Sequence, residues 1–525
     1  MMIDVVSLIP EGLRPHLPVL VVIIPLLLAP ISAAMPNWRA SWFLALVGIF
    51  LSLVMASGLV QLALASELSQ LSRDGMLSMQ GVETDRVVYA LGGWAPPLGI
   101  SFVVDKMNAP FLLLISFIGT MATVFALPTI VKDIVEEKRS LFFTAYLMCV
   151  GGLLGMAVTG DAFNMFVFLE ISSISTYVMV ALGANRDRRA LPAAFNYLIM
   201  GSIGATFYVI GVGFLYAATG TLNMDDLARL LPEVMDSKTV HAGFAFIVVG
   251  LALKAAIFPL HQWLPNAYAY APNFVTVFLS ATATKAAFYA LVRLMFGVFS
   301  PELEFQEIIF TWVLAPLGAI AAIVCSFQAI FQTDIRRMLA YSSVAQVGYM
   351  VLGLSLASSA GLSASLFHLI NHALMKGALF MAVGGVALTL GSTQMKDLSG
   401  VARRAPWTLT ALAISALSLV GVPLTAGFLS KVALFQAALL QDYWWIVVVL
   451  AISSVLAVLY VGRILETAFF KTPGPAQAKV VEAPLSLLIP LWILALLNIY
   501  FGLDASFITG MTDGAASVAF SGGQP

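Results

Sequence analysis

The stretch HAGFAFIVVGLALKAAIFPLHQWLPNAYAYAP, residues 241–272, decides the fold class of this chain. It combines an apolar run with a single lysine, Lys254, and is interrupted by Pro259 and Pro265. A lysine at the centre of a bilayer costs roughly 2.5 to 3.5 kcal/mol on insertion scales. Proline opens a helix, and opened backbone inside a bilayer survives only against protein or a water-filled cavity. The stretch therefore predicts a broken membrane helix beside an ion path.

A simpler interpretation is a kinked structural helix whose lysine extends to the membrane surface. We favour the ion path because further ionisable side chains occur at similar depth in neighbouring apolar segments.

Composition supports a membrane protein throughout the 525 residues. The chain is 60% hydrophobic and 10% charged, with a mean hydropathy of +0.97, unlike any soluble globular domain. A net charge of −1 without a basic tail gives no indication of a nucleic-acid partner. Cys149 and Cys325 lie in apolar runs and offer neither a disulfide framework nor metal spacing. We predict an all-α polytopic membrane protein with no cofactor or metal.

About fourteen apolar runs have the length of a membrane span. They cover residues 17–34, 41–64, 108–128, 140–159, 162–183, 192–217, 241–258, 274–299, 308–330, 338–357, 362–390, 407–440, 443–469 and 482–503. The twelfth run is over-long and contains Gly421, Pro423 and Gly427, so it predicts a second broken helix. The polar insert 66–100 predicts a short surface cap. We expect a single membrane domain, 1–525.

When the sequence is aligned with itself at an offset of about 176 residues, similar residues fall at matching positions. Glu170 falls on Gln346, and Lys254 falls one residue from Lys431. We predict N-terminal helices 1–3 in 1–139, repeat one in 140–299 (spans 4–8), repeat two in 308–470 (spans 9–13) and a C-terminal helix in 482–503. Each repeat has five spans, so the second is inverted relative to the first, an arrangement that builds transport paths in membranes.

Basic residues predict the orientation in the cell membrane. Odd-numbered connections carry most of them, including Arg186, Arg188 and Arg189, whereas even-numbered connections carry few. The positive-inside rule places odd connections in the cytoplasm and both termini on the outer side.

Six ionisable side chains inside apolar runs are candidates for proton transfer: Glu170, Lys254, Lys285, His368, His372 and Lys431. Glu170 has no charged neighbour along its own span, and we expect it to be the only deeply buried carboxylate. A Glu170–Lys254 pair would act as a switch, because both groups stay charged when close and become neutral when separated. The alternative is a static ion pair that fixes helix packing.

The remaining candidates extend this predicted path. Thr282 and Thr284 flank Lys285 and can orient water, although that lysine could also extend to the membrane surface. His368 and His372 lie four residues apart on one helix face, with Lys376 following at the same spacing. Histidines titrate near neutrality, and the alternatives are a hydrogen-bonded bundle pair or a metal site, for which no HExxH or nearby carboxylate is present.

No Walker loop, dinucleotide fingerprint, haem spacing or nucleophile–base arrangement occurs, so the chain itself is not predicted to be an enzyme.

The motifs of the chain resemble the antiporter-like subunits shared by respiratory complex I, membrane-bound hydrogenases and the Mrp multi-subunit sodium/proton antiporters. The motifs are TGDAFNMFVFLEISSISTYVMVAL, ALKAAIFPLHQWLPNAYAYAP, LSATATKAAFYALVRL, RRMLAYSSVAQVGYM, FHLINHALMKGALFMAVGG and GVPLTAGFLSKVALF, within roughly residues 100–470. AFNMFVFLE is most similar to the D-type member of the Mrp antiporters.

The resemblance implies fourteen helices, inverted repeats, breaks in helices 7 and 12, and proton transfer along a hydrated axis through the six candidate residues. It implies partner membrane subunits, with H⁺ and Na⁺ as the transported ions. Lysine at position 431 fits the Mrp D type and two of the three complex I types. AYAYAP at 267–272 departs from the family, which commonly has a histidine and an acidic residue there. Two assemblies stay open: a cation/proton antiporter, and a proton-pumping subunit of a complex I-like dehydrogenase or hydrogenase.

Overall fold

A computed structural model describes residues 5–64, 82–83, 86–299, 308–475 and 477–521. In these residues nine α-helices precede the first break: α1 (Val5–Leu8), α2 (Leu17–Ala34), α3 (Trp38–Leu64), α4 (Ala109–Asp133), α5 (Arg139–Val158), α6 (Ala162–Ala181), α7 (Ala190–Thr219), α8 (Met224–Leu230) and α9 (Lys238–Lys254). The helices after it are α10 (Trp263–Tyr270), α11 (Asn273–Ala281), α12 (Ala283–Gly297), α13 (Ala315–Ile330), α14 (Ile335–Ser355), α15 (Ser359–Leu390), α16 (Pro406–Val420), α17 (Ala426–Leu440), α18 (Trp444–Leu465), α19 (Leu485–Leu503) and α20 (Ser506–Ser521).

The all-α membrane class is confirmed. Within the described part of the chain, twelve helical segments are long and apolar enough to cross a bilayer. The segments containing the predicted seventh and twelfth spans are not among the twelve, because each is divided into shorter helices. The count of fourteen, the division into inverted repeats and the orientation of the termini remain predictions.

The break after α9 lies between Lys254 and Trp263. Ala256 adopts a left-handed backbone with φ of 56°. The indole nitrogen of Trp263 donates to the carbonyl of Leu253 at 3.0 Å, which satisfies one backbone group that the missing turn leaves unpaired. Pro265 was expected to bound the break, but it occupies the first turn of α10, where its missing N–H has no helical partner to lose.

The break between α16 and α17 centres on Gly421, whose φ of 92° suits glycine. Leu424 is also left-handed, with φ of 69°. Gly427 allows the two halves to approach closely, because a Cβ there would lie 1.8 Å from the carbonyl oxygen of Ser418. The predicted second break is therefore present, and it is built by glycines as well as by Pro423.

A third break was not predicted. The expected span 274–299 is divided at Thr282, whose φ of −124° and ψ of −56° interrupt the helix between α11 and α12. No proline or glycine marks this position in the sequence. The interruption leaves the carbonyl of Ser280 available to a side chain.

α15 lies at the centre of the bundle and packs on α11, α14, α16, α17, α19 and α20. It is buried along most of its length, including all of its ionisable side chains.

Three antiparallel strands form a small sheet in the order β1 (Val82–Glu83), β2 (Arg86–Ala90) and β3 (Ser101–Val104). The predicted surface cap 66–100 thus includes strands, and its residues 66–81, 84 and 85 lie outside the described ranges.

Candidate functional site: a row of buried ionisable side chains

The predicted pair between Glu170 and Lys254 is present. Lys254 is the last residue of α9, and its Nζ lies 3.4 Å from Oε1 of Glu170 on α6. Lys254 also donates to Ser173 Oγ at 2.7 Å and to Tyr177 OH at 3.3 Å. All three partners lie on α6 at helical spacing, so one face of α6 surrounds the ammonium group.

The acid and the base of this pair differ in burial. The side chain of Lys254 is 7% exposed and that of Glu170 is 24% exposed. Glu170 therefore reaches the protein surface, while the lysine faces the interior. The expectation that Glu170 is the only deeply buried carboxylate was wrong, because Asp105 and Asp133 are more deeply buried and pair with Arg293 and Arg186.

A small cavity of about 30 Å³ separates Lys254 from α12. Its walls include Ser173 and Thr176 on one side, and Ala283 and Ala287 of α12 on the other. A cavity volume of about 15 Å³ is enough for one water molecule when polar groups line the cavity and can bind that water. The hydroxyl groups and the ammonium group supply such partners, so the cavity can connect the Glu170–Lys254 pair with the helix that carries Lys285.

Lys285 lies in the first turn of α12, directly after the third break. Its ammonium donates to the freed carbonyl of Ser280, and it lies 3.4 Å from Thr284 Oγ1. The side chain is 2% exposed, so it does not extend to the membrane surface as the alternative interpretation required. The hydroxyl of Thr282 instead donates to the carbonyl of Phe278 at 2.7 Å.

α15 places His368 and His372 on one face, with parallel rings and centroids 6.2 Å apart. His368 contacts Gln346 Oε1 at 2.9 Å and Ser430 Oγ at 3.0 Å. Both ring nitrogens of His372 are buried and lack a hydrogen-bond partner in the described structure. Lys376 continues the face and donates to the carbonyl of Leu339 at 2.8 Å.

Lys431 lies in α17, just past the second break, and extends back toward the end of α16. Its ammonium donates to the carbonyls of Leu419 and Val420 at 3.0 and 2.7 Å, and to Ser454 Oγ at 3.1 Å. It also lies 5.3 Å from the ring centre of Tyr349. A lysine at this position satisfies the carbonyls that end α16 and benefits from the negative end of that helix.

The contacts among the predicted candidates therefore form two separate groups inside the protein. One part joins Glu170 with Lys254, and the other joins His368 with the α17 region that carries Lys431. Sequence reasoning named Gln346 only as the counterpart of Glu170, and it missed the other polar residues that surround the candidates, mainly Ser173, Tyr177, Tyr349, Ser430 and Ser454. Most are serine or tyrosine in apolar helices, which also occur as packing groups.

Among the described residues, no cluster of three His, Cys, Asp or Glu side chains is found.

Comparison with known proteins identifies the family. Residues 159–457 match the transmembrane family described as NADH:quinone oxidoreductase/Mrp antiporter. The chain belongs to this family. It is 40% identical over 506 residues to the N-type subunit of the NADH-quinone oxidoreductase of Desulforudis audaxviator, covering 93% of this chain and 96% of that relative. It is 30% identical to the D-type subunit of the Na(+)/H(+) antiporter of Alkalihalophilus pseudofirmus, covering 80% of this chain and 83% of that relative.

A solved structure shows the same architecture. A chain in the Mrp complex from Dietzia superposes with a TM-score of 0.84 at 25% identity, covering 97% of this chain and 98% of that one. The predicted resemblance is thereby confirmed: this is a multi-pass, antiporter-like membrane subunit of the Mrp/complex I superfamily. These relatives are subunits of multi-subunit membrane complexes.

Proposed function

We propose that this chain is the proton-translocating subunit of a multi-subunit monovalent cation/proton antiporter, with Na⁺ as the expected cation. The observation that carries the proposal is that Lys254, Lys285 and Lys431 all lie at helix breaks and point into the protein. The breaks beside Lys285 and Lys431 free backbone carbonyls that accept from the ammonium groups, whereas side chains of α6 stabilise Lys254. Such sites permit a proton to rest at several depths in the bilayer.

The polar groups around the lysines support a hydrated connection between them. His372, Gln346 and Asn371 carry buried nitrogen or oxygen atoms without a hydrogen-bond partner in the described structure. Buried polar atoms are nearly always paired, with protein or with water, because leaving them unpaired is costly. Water at these atoms would join His368 and His372 to their neighbours and supply a route for protons.

The Glu170–Lys254 pair provides the coupling step in this proposal. At 3.4 Å the two groups stabilise each other's charge. Movement of either partner removes that stabilisation, so Lys254 then releases a proton toward the cavity that faces α12. A cation arriving near Glu170, which is 24% exposed, would compete with Lys254 for the carboxylate and cause this release.

A second candidate function is proton pumping in a complex I-like dehydrogenase or hydrogenase. The 40% identity to an N-type oxidoreductase subunit across nearly the whole chain favours it. The two functions predict different partner proteins for the chain. Co-purified small membrane subunits without flavin or iron–sulfur proteins indicate the antiporter, whereas flavin or iron–sulfur absorption in the purified complex indicates the redox machine.

The function itself is tested with the whole complex in sealed vesicles and a pH-sensitive dye. An imposed Na⁺ gradient should drive proton movement in the wild type, and Lys254→Ala should reduce it by about 10²-fold while the complex stays assembled. Proton movement that needs NADH or another electron donor, and that does not respond to Na⁺, supports the second candidate. Full transport by Lys254→Ala in an intact complex contradicts both.

A further inference from the structure

A cavity of about 650 Å³ lies outside the row of ionisable residues, at the ends of three membrane helices. It is formed where the turn from α2 to α3 meets the segment between α4 and α5. Asn37 and Arg39 line it on one side, and Glu136, Glu137 and Ser140 line it on the other. Because α2, α3 and α5 each begin or end here, the cavity lies at the level of lipid headgroups.

The cavity brings together charges of both signs. Arg39, Glu136 and Glu137 are exposed. The ion pairs of the described residues include none of these three side chains. A guanidinium and two carboxylates thus face one space without forming an ion pair there. This pattern fits a ligand that itself carries a positive and a negative group.

A buried tryptophan holds the basic side of the cavity. Trp38 is 8% exposed, and the guanidinium carbons of Arg39 and Arg139 lie 5.6 and 5.2 Å from its ring centre. The guanidinium of Arg139 donates hydrogen bonds to the carbonyls of Ile134 and Val131, at 3.0 and 3.1 Å. Arg39 makes no such side-chain bonds among the described contacts, so it is the arginine available to a ligand.

We propose that this cavity binds the headgroup of a phospholipid that carries a phosphate and a primary ammonium, as in phosphatidylethanolamine. Arginine binds phosphate through two parallel N–H groups, which suits Arg39. The ammonium has three N–H donors for Glu136 and Glu137. Ile31 and Leu141, exposed by 45% and 56%, continue the site along the surface where acyl chains lie. The two carboxylates repel anionic headgroups, and a fully methylated ammonium cannot donate to them.

The test measures lipid retained by the purified whole complex after washing in detergent, by mass spectrometry. The wild type should retain phosphatidylethanolamine in preference to phosphatidylcholine and phosphatidylglycerol. Loss of one charged hydrogen-bonding group should lower retention about tenfold in Arg39→Gln, and loss of both carboxylates in the Glu136→Gln/Glu137→Gln double variant should lower it at least about tenfold. Lys138→Gln is the matched control, because Lys138 is an exposed charge in the same connection that does not line the cavity.

A charge exchange makes the test independent of folding defects. The Glu136→Lys/Glu137→Lys double variant should come to prefer phosphatidylglycerol over phosphatidylethanolamine. Added phosphoethanolamine should displace the lipid, whereas inorganic phosphate should not. Equal retention by wild type and Arg39→Gln, displacement by inorganic phosphate alone, or a partner subunit that fills the cavity in place of lipid would each overturn the proposal.

Discussion

Lys254 and Lys431 are buried to a similar extent beside the two predicted helix breaks, but their charges are balanced differently. Lys254 faces a carboxylate, Glu170, together with a serine and a tyrosine hydroxyl. Lys431 faces two backbone carbonyls and the hydroxyl of Ser454, and no carboxylate contacts it in the described structure. One lysine is therefore held by an opposite charge and the other by neutral dipoles.

The position that corresponds to Glu170 under the 176-residue shift explains this difference. It is occupied by Gln346, whose amide oxygen contacts His368 rather than the lysine. A carboxylate responds strongly to the charge of its neighbours, whereas an amide stays neutral and orients a partner by hydrogen bonding. In the proposed mechanism, the first half senses charge and the second passes protons on.

The largest effect is expected from Lys254→Ala. It leaves Glu170 without its cation and removes a proton site, so transport should fall by about 10²-fold. Dye-based proton flux in vesicles carrying the whole complex measures this. Lys238→Ala is the matched control, because Lys238 is an exposed residue at the start of the same helix, α9. If both variants transported alike, the charged pair would have only a structural role.

A smaller loss is expected from Glu170→Gln, which keeps the shape of the side chain and removes its charge. A hydrogen bond to an ionised acceptor is about twice as strong as a neutral one, so we expect a decrease in transport of about tenfold. Ser173 and Tyr177 still hold Lys254 in this variant. Exposed Glu233→Gln serves as the control, and an unchanged cation dependence in Glu170→Gln would remove the proposed sensing role.

Ser454→Ala tests whether neutral oxygens suffice for Lys431. It removes one of three contacts to the ammonium group, worth about 1 kcal/mol, and should slow transport about fivefold. The adjacent Ser453 bonds to Ser326 Oγ and the carbonyl of Ala322 at 2.9 and 2.8 Å, and not to the lysine. Ser453→Ala should therefore leave the transport rate nearly unchanged. A larger effect of Ser453→Ala than of Ser454→Ala would show that helix packing, not the lysine, limits transport.

The smallest change in transport is expected between Glu170→Gln alone and the double variant that also carries Gln346→Glu. The new carboxylate would face His368 and not Lys254, so it should fail to restore transport. Because the two positions share no contact in the described structure, their effects should combine within about twofold of additivity. Recovery to wild-type flux would mean that an acid in either half serves equally, and the contrast between the two halves would disappear.

Much of the site followed from the sequence because a bilayer leaves few alternatives. Lys254, Lys285 and Lys431 were identified from charge in apolar runs, and the structure directs all three inward. The Glu170–Lys254 contact was also expected and is present. Their roles in proton transfer remain predictions. The break at Thr282 and the buried Asp105 and Asp133 were not foreseen.

The sequence by itself determined that this is a polytopic membrane subunit with two broken helices, because hydrocarbon excludes unpaired backbone and because proline and glycine mark the openings. Tertiary structure alone decided which oxygen atoms face each lysine. Ser173 and Ser454 lie on different helices from Lys254 and Lys431, and only packing brings them within 2.7 and 3.1 Å. Local sequence carries no signal for such contacts, since serine in an apolar helix looks the same whether it faces lipid, a neighbour or an ion path.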